Sequence, residues 1–246
     1  SAAELRAAIG AGYEQPGSRI FAANGSNEVL QSLLLAFGGP GRCAAVFEPT
    51  YALHSHIARV TGTRVVEGER GTRFDLDLDI VRDVIDREHP DIVFLCSPNN
   101  PTGVVDPPET VRSVLDLVEA YGGLLVVDEA YGQFTPSSAI DLIDDDRPLV
   151  VSRTFSKTWS MAAVRLGYAI GPDWLIESLE SVVLPYHLDA LKQRAGILAL
   201  QHREAMAERV ARLVEERGRL VAGLAELPGD VWPSGANFVL FRPRHA

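Results

Sequence analysis

The sequence predicts an α/β fold: a three-layer, doubly wound, mostly parallel sheet, followed by the start of a smaller C-terminal α/β domain. Three observations carry this. Short apolar runs at 43–47, 91–96, 124–127 and 149–151 alternate with segments of helical period, the pattern of βαβ units. The runs are continuously apolar, as strands buried on both faces of a parallel sheet require. Several of them end in polar clusters, at 97–103, 128–131 and 154–157, and open α/β sheets carry ligands at such strand ends.

Taken in order, residues 2–13 read as a helix with Leu5, Ala8 and Ile9 on one face, followed by a turn at 15–18 and a short strand at 20–23. The next helix carries Leu30, Leu33, Leu34 and Phe37 at helical spacing and stops at 38–41, a Gly-Gly-Pro-Gly run. Its entry is Gly25-Ser26-Asn27. Gly25 permits a tight turn, Ser26 or Asn27 is the expected cap, and the N–H groups of the first turn face any nearby anion. The buried strand 43–47 leads through Glu48-Pro49-Thr50 to Tyr51 and a helix to about residue 61. A short strand at 64–66 follows, then a helix marked by Leu78, Val81, Val84 and Ile85. After strand 91–96, Pro107-Pro108 opens another helix, Pro being favoured in the first turn. The run 166–170 follows Lys157 too soon for a crossover connection. From Pro172 the pattern is helical: 173–183, 188–200 and about 204–227. The last carries Met206, Val210, Leu213, Val214, Leu220, Val221 and Leu224 on one face. Residues 231–232 and 237–241 read as strands of a second domain, which divides the chain at 1–200 and 201–246. The acidic run 144–146 reads as a solvated loop.

At 246 residues the chain is long enough to bury roughly 70–75% of its unfolded surface without staples. Hydrophobic residues at 46% and charged residues at 23% are ordinary globular values. A net charge of −10 argues against a nucleic-acid surface. No apolar run approaches a membrane span. The two cysteines, Cys43 and Cys96, both lie in apolar runs, so reduced core thiols and a cytosolic setting are expected. No metal is expected. The chain begins with Ser inside a helical pattern, and a fragment of a longer protein is the expectation.

The chemistry centres on Lys157. A lysine between hydroxyl residues at the exit of a buried strand is most often a solvated loop residue. Burial, however, lowers a lysine pKa, and a neutral amine is a nucleophile toward an aldehyde cofactor. Arg165, eight positions on, has the fork to hold an anion. Three blocks stand in order along the chain: SPNNPTG (97–103), VVDEAY (126–131) and TFSK (154–157) with the later Arg165. In order and residue type they resemble the fold-type I pyridoxal-phosphate (PLP) aminotransferases, and within them the histidinol-phosphate aminotransferase branch. The resemblance runs from about residue 3 to residue 242.

That resemblance implies a PLP-dependent large domain in which segment 166–170 runs antiparallel to an otherwise parallel sheet. It implies that Lys157 forms the Schiff base with pyridoxal 5'-phosphate and later moves the substrate's proton. Asp128 would pair with the pyridine nitrogen, Tyr131 and Asn100 with the phenolic oxygen, and Tyr51 would stack on the ring. Gly25, Ser26, Asn27, Thr154, Ser156 and Arg165 would hold the phosphate. His54, three residues after Tyr51, matches a histidine that backs the aspartate in aspartate aminotransferases; a surface histidine on a helix is the commoner case. The Asn100-Pro101 peptide matches one that is often cis.

Relatives extend further at both ends, so an N-terminal closing segment, a partner-subunit tyrosine and the arginine for the substrate's α-carboxylate are expected outside this sequence. Ala163 stands where glycine is frequent. The implied reaction is transfer of an amino group from a small-molecule donor, first choice histidinol phosphate, to a 2-oxo acid, in a cytoplasmic homodimer. Tyr186 and Leu188 face either a partner or the core. The alternatives are a PLP-dependent decarboxylase of the same fold, a PLP-fold sensing domain, or a fragment that binds PLP without turnover.

Overall fold

Seven strands form one sheet in the computed structural model, which describes residues 2–244. They are β1 (Ile20–Ala23), β2 (Cys43–Glu48), β3 (Arg64–Glu69), β4 (Ile92–Cys96), β5 (Leu124–Asp128), β6 (Leu149–Thr154) and β7 (Gly167–Ile170), in the spatial order β1-β7-β6-β5-β4-β2-β3. Strand β7 is antiparallel to both neighbours and the other pairs are parallel. The β6–β7 link holds only a single short helical turn, Ala162–Val164. The chain therefore turns back beside β6 instead of crossing over.

Helices cover both faces. Alternate strand residues point to opposite layers. Val93, Leu95, Leu125 and Val127 meet Leu5 and Ile9 of α1 (Ala3–Gly10), Val81 and Val84 of α4 (Leu78–Glu88) and Val111, Val114 and Leu115 of α5 (Pro108–Glu119). Ile92, Phe94, Leu124 and Val126 meet Leu30 and Leu33 of α2 (Ser26–Phe37), Ala58 of α3 (Leu53–Val60) and Leu175 and Leu179 of α6 (Asp173–Val182). Burying each such side chain contributes about 1.5–3 kcal/mol. Cys43 and Cys96 are buried free thiols. Leu188 belongs to the core, whereas Tyr186 is exposed.

The C-terminal part departs from expectation. Helices α7 (Ala190–Leu200) and α8 (Arg203–Ala225) form, but no residue of α8 is buried. Val210 and Val214 pack on the small cluster of Tyr131, Phe134 and Ala236, and Met206 on the main core. Leu213 and Leu220 stay exposed. Among the described residues the sheet beside α8 is a two-stranded ribbon, β8 (Gly229–Val231) with β9 (Phe241–Pro243), too narrow to cover the whole stripe. Residues 237–240 were expected in a strand and are not in one. Ser234 Oγ donates to the Phe238 carbonyl at 2.6 Å and accepts from Ala236 N at 3.0 Å, while Gly235 N donates to the Gly103 carbonyl at 2.7 Å. Those groups are used in a turn, so the paired strand begins at Phe241, preceded by one backbone bond from Trp232 N to the Leu240 carbonyl at 3.2 Å.

Candidate active site

The carboxyl ends of β4, β5 and β6 and the start of α2 surround a cleft of about 280 Å³. Ser26, Asn27, Tyr51, Asn100, Asp128, Tyr131, Thr154, Ser156, Lys157 and Arg165 all line it. Every residue expected at the site is therefore brought to one place except Gly25, which stands behind Arg165. Cys96, Ala130 and Ala162 complete the lining and were not expected.

Asp128 closes β5 at the floor and is 2% exposed. Its Oδ1 accepts from Ala130 N at 3.0 Å and its Oδ2 lies 3.1 Å from His54 Nε2. His54 is not a surface residue: it is fully buried, stacked on Phe94 at 4.9 Å between ring centroids and edge-on to Tyr51 at 5.4 Å. Its helix buries one face, and His54 sits on that face with Ala58. Since the carboxylate accepts, Nε2 carries the proton donated to it. Nδ1 has no partner among the described residues. Burial, then the Asp128 charge, pushes both the Tyr51 hydroxyl and the Cys96 thiol above their ordinary pKa values; a hydrogen bond to Asn27 offsets part of the effect on Tyr51.

Lys157 leaves β6 through a hydroxyl turn. Thr154 Oγ1 accepts from Ser156 N at 3.1 Å and donates to Ser156 Oγ at 3.0 Å. The half-buried Lys157 places Nζ 4.9 Å from the centroid of the Tyr131 ring, cation–π distance. Among the described residues, no carboxylate lies within ion-pair distance of Nζ.

Arg165, in the left-handed region at φ 55°, donates to Ser156 Oγ at 3.4 Å and to the Ala162 carbonyl at 3.2 Å. It forms no ion pair among the described residues, so a surface salt bridge does not account for it. Its guanidinium crosses the start of α2: a Cβ on Gly25, whose φ is +85°, would fall 2.7 Å from Nη2. Neither Ser26 nor Asn27 caps α2, contrary to expectation. Gly25 holds the cap position without a side-chain bond. Glu28 reaches back instead, accepting from Asn24 N at 2.5 Å and Asn24 Nδ2 at 2.9 Å. Asn27 Oδ1 accepts from the Tyr51 hydroxyl at 3.2 Å.

Asn100 reaches the cleft from the loop after β4, and the Asn100–Pro101 peptide is cis, as are Glu48–Pro49 and Ser97–Pro98. The neighbouring Asn99, fully buried, secures that loop. Its Nδ2 donates to the Pro49 carbonyl and to Thr102 Oγ1, both at 2.9 Å, and its Oδ1 accepts from Thr50 Oγ1 at 3.1 Å. The buried fork from Arg70 to Asp106, at 2.7 and 3.0 Å, secures the loop's far end.

A second buried ion pair, Glu129 with Arg153, lies behind the cleft. Burial works against the Arg153 charge, but Glu129, Tyr13 and Tyr168 together outweigh it and hold the guanidinium above its ordinary pKa. Sequence reasoning did not single out Asn99, Arg70 or Arg153. The one available signal was a charged residue, Arg153, inside the apolar strand β6.

The cleft thus has a cationic pole at Arg165 and the start of α2, a carboxylate pole at Asp128, and between hydroxyl residues an amine with no ion-pair partner among the described residues. Among the described residues no group of three His, Cys, Asp or Glu side chains is placed to hold a metal ion. No helix of the described residues is long and apolar enough to cross a membrane.

The family profile described as aminotransferase class I and II matches residues 1–245. The chain is 46% identical over 224 residues to a histidinol-phosphate aminotransferase of Streptomyces avermitilis, covering 90% of this chain and 61% of that protein. It is 45% identical over 235 residues to the histidinol-phosphate aminotransferase of Frankia casuarinae, covering 94% and 59%. The chain therefore spans about three fifths of the length of these relatives. Its fold matches the histidinol-phosphate aminotransferase of Clostridium acetobutylicum with a TM-score of 0.91 at 24% identity, over 100% of this chain and 73% of that one. It also matches the Sinorhizobium meliloti enzyme solved in complex with pyridoxal-5'-phosphate, with a TM-score of 0.89 at 23% identity, over 97% and 65%.

Proposed function

The chain belongs to the class I and II aminotransferases, and from that premise we propose that it is a PLP-dependent transaminase. It moves an amino group between a small amino donor, first choice histidinol phosphate, and a 2-oxo acid. It serves histidine biosynthesis in the cytoplasm as a homodimer, with residues 1–200 as the cofactor domain and 201–246 as part of a second domain. The observation that carries the reading is the two-pole cleft with an unpaired lysine at its wall. The named relatives at 45–46% identity support the substrate choice.

The residues fit the cofactor. Arg165 pairs with no acid among the described residues, and with Ser156, Thr154 and the first turn of α2 it offers a dianion several donors. Asp128, kept in place by His54 and Ala130 N, would accept from the pyridine nitrogen. Tyr131 and Asn100, both in the cleft lining, would hydrogen-bond the phenolic oxygen, and Tyr51 would flank the ring. When bound, pyridoxal phosphate supplies an electron sink conjugated to the substrate's reacting carbon. Lys157 would hold the cofactor's aldehyde end through its amine. Once free, the same amine would serve as the base that moves the proton at the substrate's Cα.

An absorbance scan with added PLP, beside Lys157→Ala, tests this. The expected result is a protein-dependent visible band that the variant lacks, and amino transfer from histidinol phosphate to a 2-oxo acid. Carbon dioxide release without a 2-oxo product would make the chain a decarboxylase. A band without any turnover would leave it a cofactor-binding fragment. Free-aldehyde spectra from both proteins would refute the proposal.

A further inference from the structure

We propose that the Glu129–Arg153 ion pair is a positioning clamp that holds the two walls of the cleft at a fixed spacing, an inference that rests on the cofactor reading above for its catalytic consequence. Neither residue lines the cleft. Each is the immediate neighbour of one that does: Glu129 follows Asp128, and Arg153 precedes Thr154. Arg153 Nε and Nη2 reach Glu129 Oε2 at 3.0 and 2.6 Å, with 5% and 4% of the two residues exposed.

The carboxylate does more than pair. Oε2 accepts from Ser138 Oγ at 2.8 Å and Oε1 from Ala139 N at 2.6 Å. Glu129 N donates to the Ser152 carbonyl at 2.9 Å, and its own carbonyl accepts from Gly132 N at 2.9 Å. Glu129 is thus the hub of the turn 128–139, which carries Asp128, Ala130 and Tyr131. That turn is closed tightly, because a Cβ on Gly132 would fall 2.8 Å from both Cβ and Oε2 of Glu129. On the other wall, Arg153 Nη1 donates to the Tyr13 hydroxyl at 3.1 Å, which lies 2.6 Å from the Tyr168 hydroxyl. The guanidinium is therefore anchored from β7 and from the turn after α1.

Buried ion pairs are poor stabilisers compared with apolar residues of equal volume, so net stability does not explain this one. What the pair supplies is geometry: one wall bears Asp128 and Tyr131, the other Thr154, Ser156 and Lys157. The 4.9 Å approach of Lys157 Nζ to the Tyr131 ring depends on their registration.

Hydrogen exchange on the full chain tests the clamp without cofactor. In Glu129→Gln and Arg153→Lys, exchange is expected to rise about tenfold at 128–134 and 154–158 together, with β2, β3 and α4 unchanged. A rise at one wall alone, or equally everywhere, overturns the clamp. Should both variants fail to fold, Ser138→Ala removes one contact to each member of the pair, with Glu129 Oε2 at 2.8 Å and Arg153 Nη2 at 2.9 Å, at a half-buried residue, and the same two outcomes apply. With PLP loaded, the pH midpoint of the visible band should move by about half a unit and kcat fall about tenfold, with KM within about twofold. Unchanged midpoint and kcat in variants of a wild type that shows the band would reduce the pair to a structural role. A wild type without the band refutes the cofactor reading and leaves the exchange result to decide the clamp.

Discussion

His54 Nε2 lies 3.1 Å from Asp128 Oδ2, and both side chains are withdrawn from water. The imidazole donates to one carboxylate oxygen and the Ala130 amide to the other, so the carboxylate keeps a fixed orientation toward the cleft. Replacing His54 with alanine leaves Asp128 one donor short in a dry site and opens a void beside Phe94. His54→Ala is expected to cost about 2–4 kcal/mol of stability. Urea unfolding measures this, and a loss well under 1 kcal/mol would show that Asp128 does not need the imidazole.

At Gly25 the backbone and the guanidinium compete for the same space. An alanine there would sit at φ +85° with its methyl 2.7 Å from Arg165 Nη2. The strained backbone costs about 1–2 kcal/mol, and the flexible end of Arg165 gives way. Gly25→Ala is therefore expected to weaken PLP binding about tenfold by equilibrium dialysis, on top of the stability loss. Affinity equal to wild type would mean that Arg165 need not lie across the helix start.

Arg165→Gln separates binding from folding. The side chain is exposed and forms no ion pair among the described residues, so unfolding should change little. A charge-assisted bond to phosphate is worth about 1.5–3 kcal/mol, so the PLP dissociation constant should rise about 10- to 100-fold. A variant that binds as well as wild type would remove Arg165 from the phosphate site.

Alkaline pH should destabilise the fold. Burial raises the pKa of Cys43 and Cys96 above 9.0 and of Tyr51, Tyr121 and Tyr168 above 10.0. In the unfolded chain these groups ionise at their ordinary values, so above pH 9 the folded chain holds more protons. Stability is then fully present below the unfolded values and falls as pH rises toward the folded ones. The urea midpoint should be lower at pH 10 than at pH 8, and Tyr121→Phe should make the decline shallower. A midpoint constant across that range contradicts the burial of these groups.

Residue types and their order along the chain determined the strands, the helices and the polar clusters at strand ends, because apolar periodicity and turn chemistry are local. The runs at 91–96, 124–127 and 149–151 became central strands, and each brought a cleft residue to its end. Even the reversal of β7 followed from a connection too short to cross the sheet. The blocks SPNNPTG, VVDEAY and TFSK contain Asn100, Asp128, Tyr131, Thr154, Ser156 and Lys157, all in the cleft lining, whereas Ser26, Asn27, Tyr51 and Arg165 lie outside them and were named from their own positions and the family resemblance.

Other features were decided only by tertiary packing. Glu129 meets Arg153 across 24 positions of sequence and Arg70 meets Asp106 across 36, whereas the pair of His54 with Asp128 was expected from the family resemblance alone. No local period encodes such pairs, because a charge is admitted to the interior only when a distant partner arrives with it. The cap of α2 passed from Ser26 and Asn27 to Gly25 for the same reason. Arg165 arrives from beyond β6, and only a residue without a side chain leaves room for it.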